Sequence, residues 1–66
     1  MNNVKEIANN NKHYTTWQAA KMLLITAATI IKYIKDGKIS CVRTIGGHRR
    51  IPGTEINRIW GIMNKQ

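Results

Sequence analysis

At 66 residues the chain is one small domain, with little surface to bury and room for a single compact core. It carries 11 Lys and Arg against 3 acids, for a net charge of +8, and has one cysteine. That composition excludes an internal disulfide, and Cys41, His13 and His48 lack the ligand spacing of a zinc site. Glu6, Asp36 and Glu55 are too scattered to pair for acid–base work, and Ser40 is the single serine, so no enzyme is expected. Nor is a cofactor, a metal or a small-molecule ligand. One unpaired cysteine fits a reducing cytoplasm, with Cys41 as a small, half-buried strand residue. Met1 to Lys5 lack the apolar run of a secretory leader. The apolar stretch Met22–Ile31 is short and is broken by Thr26 and Thr29, so no membrane span is expected.

Residues 1–12 are polar, with five Asn among twelve, and read as an N-terminal arm. Val4, Ile7 and Ala8 have helical spacing, but a loose arm is the favoured reading. Residues 13–66 read as the folded domain. Thr15-Thr16-Trp17-Gln18 is a capping box, and the helix it opens places Ala19, Ala20 and Leu23 on one face and ends near Leu24-Ile25. Thr26 is the next N-cap. Ile30, Tyr33, Ile34 and Gly37 then fall at i, i+3, i+4 and i+7, a buried stripe ended by a C-terminal glycine. Two helices joined by about three residues have the spacing of a helix-turn-helix.

Two β-compatible runs follow, Ser40–Thr44 and Arg49–Ile51, around Gly46-Gly47, which supplies the positive φ a tight turn needs. Pro52-Gly53-Thr54 breaks the chain and caps a third helix, whose Ile56, Ile59, Trp60 and Met63 repeat the i, i+3, i+4, i+7 pattern and read as core. The fold expected is mostly α with a small β-hairpin. It is a winged helix-turn-helix, composed of a helix-turn-helix, a two-stranded wing and a C-terminal helix.

The charge is uneven. Residues 1–25 carry +2, residues 26–51 carry +5 and residues 52–66 carry +1. A basic middle argues for a binding face rather than general solubility, with nucleic acid the first partner to consider and an anionic membrane the second.

The runs Thr15-Thr16-x-x-Ala19-Ala20-Lys21-x-Leu23, Thr29-Ile30-x-Lys32-Tyr33-Ile34-x-x-Gly37-Lys38-Ile39 and Val42-Arg43-Thr44-x-Gly46-Gly47-His48-Arg49-Arg50-Ile51-Pro52 resemble the MerR-like/excisionase DNA-binding domain over about residues 14–62. They are especially similar to the small BldC-type regulators, and also to the N-terminal domains of some serine transposases. The resemblance implies binding to double-stranded DNA, with the second helix in the major groove and the wing in the adjacent minor groove. Two positions depart from the pattern: Leu24 stands where the family turn usually has Gly, and Ile31 where it often has Arg. A positive φ at Leu24 would strain it, and no DNA-contacting role is carried over to Ile31.

With Ile30 and Ile34 facing the core, Ala28, Lys32 and Lys35 point the other way, with Thr29 and Ile31 at the flanks. Lys32 can reach a guanine edge or a phosphate, and Ala28 and Thr29 can offer methyl groups to thymine. Thr26 can bind a phosphate while capping the helix. Lys35 and Lys38 are further candidates. Arg43, Arg49 and Arg50 divide between phosphates and a narrow minor groove, with Arg49 favoured for the groove. His48 is either a phosphate donor or a packed turn residue. Trp17 could reach a phosphate, but packing against the arm is favoured.

Three readings follow. The first is a cytoplasmic DNA-binding protein, either a transcription regulator or an excisionase-like directionality factor. With no heptad run for a coiled coil, it would bind cooperatively with other copies of itself, head to tail on repeated A/T-rich sites. The second is the DNA-reading module of a serine recombinase. The third is an RNA or membrane-surface module, although Tyr14, Trp17, Tyr33 and Trp60 do not make an exposed aromatic platform for RNA.

Overall fold

The fold is built around its first helix, which packs against both other described helices and against the sheet. In the computed structural model, which describes residues 6–64, α1 spans Thr16–Leu23. Its N-cap is Thr15, whose hydroxyl accepts from the Gln18 N–H at 3.1 Å while the Thr15 N–H donates to Gln18 Oε1 at 2.9 Å. Two of the N–H groups that a helix start leaves without partners are thereby satisfied by each other's side chains. Ala19, Ala20 and Leu23 are buried as their spacing predicts, and α1 packs against each of the other two helices described.

The turn out of α1 is closed by two backbone bonds, Ile25 N–H to Ala20 O at 3.0 Å and Leu24 N–H to Lys21 O at 3.3 Å. That pair defines a Schellman termination, which places one residue in the left-handed region. The residue is Leu24, with φ 61 and ψ 37, and its side chain is exposed. The strain anticipated for a non-glycine residue at this position is therefore present.

Thr26 then caps α2, Ala27–Lys35, its hydroxyl accepting from the Thr29 N–H at 3.1 Å. A second Schellman pair ends it, with Lys38 N–H to Tyr33 O at 2.8 Å and Gly37 N–H to Ile34 O at 3.1 Å; Gly37 has φ 77. The predicted buried stripe is narrower than expected. Ile30 is fully buried, Tyr33 and Ile34 are half-buried against the core, and Gly37 is exposed.

The wing pairs β2, Val42–Arg43, with β3, Arg49–Pro52, in antiparallel register. A third strand joins it on the other side: β1, His13–Tyr14, pairs with β3, giving the order β1-β3-β2. Two residues without alternation carry no strand signal of their own, and β1 forms because Ile51, opposite Tyr14, is core.

The third helix, α3, spans Gly53–Met63. Its start falls within the expected Pro52-Gly53-Thr54 break, but no side chain of that triplet caps it. Pro52 stands at the N-cap and makes no side-chain bond, and the Gly53 N–H donates to the Lys12 carbonyl at 2.8 Å instead. The arm thus supplies an acceptor that a capping side chain would otherwise provide. Its backbone passes so close that a Cβ on Gly53 would collide with the Asn9 carbonyl.

The arm is not loose over its described part. Asn57 Oδ1 accepts from the N–H groups of Ile7 and Ala8 at 2.8 and 2.9 Å, and Asn57 Nδ2 donates to Ala8 O and Asn10 Oδ1. Val4, part of the helical spacing proposed for the arm, lies outside the described residues. The core is Ala19, Ala20, Leu23, Ile30, Ile39, Ile51, Ile56 and Ile59. Trp60 packs half-buried at its edge, whereas Met63 is exposed, so the far end of the third-helix stripe leaves the core.

Candidate nucleic-acid interface

The outward face of α2 presents Ala28, Lys32 and Lys35, all exposed, with Thr29 and Ile31 half-buried at its flanks. Ile30, at 0% exposure, fixes this orientation, because side chains about 100° apart around the helix cannot all point inward. Thr26 is exposed at the start of the same helix, and its hydroxyl also lies 2.8 Å from the Thr29 hydroxyl. The first turn of α2 contains no acid. Its positive dipole end and its capping hydroxyl therefore meet solvent together, an arrangement suited to a phosphate oxygen.

Trp17 belongs to this neighbourhood. It does not pack against the arm; its side chain is 76% exposed and lines a shallow hollow with Ala20, Lys21, Ile25, Thr26 and Ala27. The position follows from the capping box: with Gln18 turned back to Thr15, the residue before it points away from α1's buried face. An indole and a lysine beside the N-terminus of α2 were not singled out as a joint site by the sequence pattern, since the pairing depends on the angle between α1 and α2.

The wing concentrates the remaining candidates. Register places Arg43 directly opposite Arg49, and Val42 opposite Arg50. Alternation puts Arg49 on the same face as the buried Ile51, and Arg50 on the other. Arg49 is half-buried, and its Nε is buried without a hydrogen-bond partner. Arg50 is also half-buried and donates from Nη1 to the Arg49 carbonyl at 2.9 Å. Arg43 is exposed.

Two like charges facing each other across a ladder destabilise a hairpin. Among the described residues neither arginine forms an ion pair, and no acid occurs in the chain between Asp36 and Glu55. His48 is exposed, and its imidazole lies over Gly46, where an added Cβ would sit 3.3 Å from Cδ2. His48 is thus both a packed turn residue and open to solvent.

Lys38 stands apart from this set. Its Nζ lies 5.7 Å from the centre of the Tyr33 ring, and its carbonyl accepts from Arg58 Nη2 at 2.7 Å. It borders a groove between the end of α2 and α3 lined by Ile25, Tyr33, Ile59, Ile62 and Met63. Arg58 also pairs with Glu55 at 2.8 Å, and Glu55 Oε1 accepts from the Ser40 N–H at 3.0 Å. The hydrogen bond from Arg58 holds the Glu55 carboxyl below its usual range, opposed by partial burial and assisted by the Ser40 N–H. One cation is thereby committed to structure. The ties of Asn57 to the arm and of Arg58 to the Lys38 carbonyl were announced by no local pattern, because those partners lie far away in the chain.

Among the described residues no group of three or more His, Cys, Asp or Glu could hold a metal ion, and no helix is long and apolar enough to cross a membrane. A family model described as a helix-turn-helix domain matches residues 14–60. No curated protein and no solved structure matches the chain.

Proposed function

The chain belongs to the helix-turn-helix domain family, and from that premise we propose that it is a double-stranded DNA-binding protein of the MerR-like/excisionase type. Its residues 13–66 form the binding domain and residues 6–12 brace α3. In this reading α2 lies in the major groove, with Lys32, Ala28 and Thr29 toward the bases and Thr26 and Lys35 toward the backbone. The wing enters the adjacent minor groove, where Arg43 and Arg49 meet the potential of a narrow A·T tract while Arg50, His48 and Lys38 serve phosphates. The function is regulation of transcription or direction of recombination, reached by several copies binding side by side on repeated A/T-rich sites. Trp17, Leu24, Ile62 and Met63 are exposed apolar side chains available for contact between neighbours.

The observation that carries the reading is the facing pair Arg43 and Arg49 in a wing that contains no acid. Such a pair costs stability in the free protein and is relieved by a polyanion. The test is fluorescence anisotropy with a labelled A/T-rich duplex over a range of salt. If about 4–6 phosphates are neutralised per copy, log K falls against log salt with a slope of about −4 to −5. Affinity that is independent of salt, or preference for single-stranded RNA over the duplex, rejects the proposal.

A further inference from the structure

Ile45 is the most exposed large apolar side chain described in this protein, at 108% of its reference exposure. Of the other exposed large apolar residues, Trp17 lines a hollow beside α2, Ile62 and Met63 line one beside Tyr33, Leu24 sits in the turn after α1 and Val42 in β2. Ile45 is instead the apex of the wing. Its turn is fixed from within: the Thr44 N–H donates to His48 O at 2.9 Å, the Gly47 N–H to Thr44 O at 2.8 Å, and the His48 N–H to the Thr44 hydroxyl at 3.3 Å. Gly47, at φ 84, takes the left-handed position that closes a three-residue hairpin loop.

The two residues after Ile45 have no side chains, so with the His48 imidazole folded over Gly46 the apex itself projects one bulky apolar group. That group is β-branched, and so loses little rotamer freedom when it becomes confined. Behind it stand Arg43, Arg49, Arg50 and His48.

We propose that Ile45 is a wedge that enters between adjacent base pairs from the minor groove and kinks the duplex. The minor groove of B-form DNA, roughly 6 Å wide, admits an apex followed by two glycines better than one followed by bulky side chains. Apolar wedges of this kind unstack a base step, and the basic stem holds the phosphates on either side. Pyrimidine–purine steps unstack most easily, so the wedge selects TA and CA/TG steps at a position where the protein makes no hydrogen bond to a base. Ile45 then contributes to site choice by deformation, complementing the few polar groups on the outward face of α2.

This inference rests on the duplex-binding reading, and the experiment separates the two. Duplexes recovered by selection from random DNA are made with 2-aminopurine in place of single adenines, whose fluorescence rises on unstacking. The wild-type protein is expected to raise the signal at one pyrimidine–purine step in the part of the site next to the wing. Ile45→Ala is expected to abolish that rise and to weaken binding by about 10- to 50-fold, the loss of a few buried methylene equivalents. Ile45→Leu retains both, and because the side chain touches nothing in the free protein, both variants keep the wild-type melting curve. Tight wild-type binding with no rise at any step overturns the wedge and leaves duplex binding standing. Failure to bind any duplex overturns both. Partitioning of the tip into phosphatidylglycerol vesicles, with no rise on DNA, assigns Ile45 to a lipid surface and also overturns the wedge.

Discussion

Leu24 holds a backbone conformation that disfavours it. A left-handed residue other than glycine costs about 1–2 kcal/mol, and Leu24 recovers little of this through burial because it is 79% exposed. Leu24→Gly removes the steric cost and adds freedom to the unfolded chain, two effects of opposite sign. The net expectation is stabilisation by about 0.5–1 kcal/mol, read as a melting point higher by several degrees; an unchanged or lower melting point contradicts the assigned strain. This position was legible in the sequence, since the turn between the two helices has a recognisable glycine slot that Leu24 fills. Asn57 was not. A polar residue in a helix has no local mark that distinguishes a solvated side chain from one tying down backbone about 50 residues away. Ile45 likewise has no mark in the sequence, because what distinguishes it is its full exposure at the apex of the wing.

The elements themselves were largely written in their ends. Thr15 with Gln18, Thr26 and Gly37 set the bounds of α1 and α2, and Gly46-Gly47 marked the wing turn, though Gly47 alone takes positive φ. Pro52-Gly53 marked the start of α3, but the acceptor that caps it, the Lys12 carbonyl, is a tertiary partner with no local mark, and β1 has none either because two residues carry no periodicity. The same kind of tertiary contact holds α3 to the segment between α2 and the wing, through Arg58 to the Lys38 carbonyl and Glu55 to the Ser40 N–H. The carboxyl of Glu55 is lowered from 4.5 in the folded protein, chiefly by the hydrogen bond from Arg58. A depressed folded-state value means stability that is present in full above the unfolded value and lost as pH falls through the folded one. The melting point is therefore expected to hold down to about pH 5 and to drop below pH 4.5. Part of that drop is missing in Glu55→Gln. Identical acid profiles for the two proteins contradict the clamp. The raised value of Arg58 lies far above this window and does not contribute to it.

Across the whole molecule, one set of residues builds the core while the outward face of α2 and the wing carry cations that the core does not use. A module with few polar groups for base recognition rarely reaches useful specificity alone, which is why neighbouring copies enter the proposal. Titration of duplexes carrying one or two adjacent sites is expected to give higher affinity per site on two, and equal affinity per site contradicts cooperation. Which surface meets DNA is read out by an amide chemical-shift titration of isotopically labelled protein with a short A/T-rich duplex. The expectation is that the largest changes fall at residues 26–32, at Lys35 and Lys38 and at residues 43–50, with α3 from Glu55 to Met63 little affected. Changes centred on α3 and on the groove formed by Tyr33, Ile62 and Met63, with the wing silent, would contradict it.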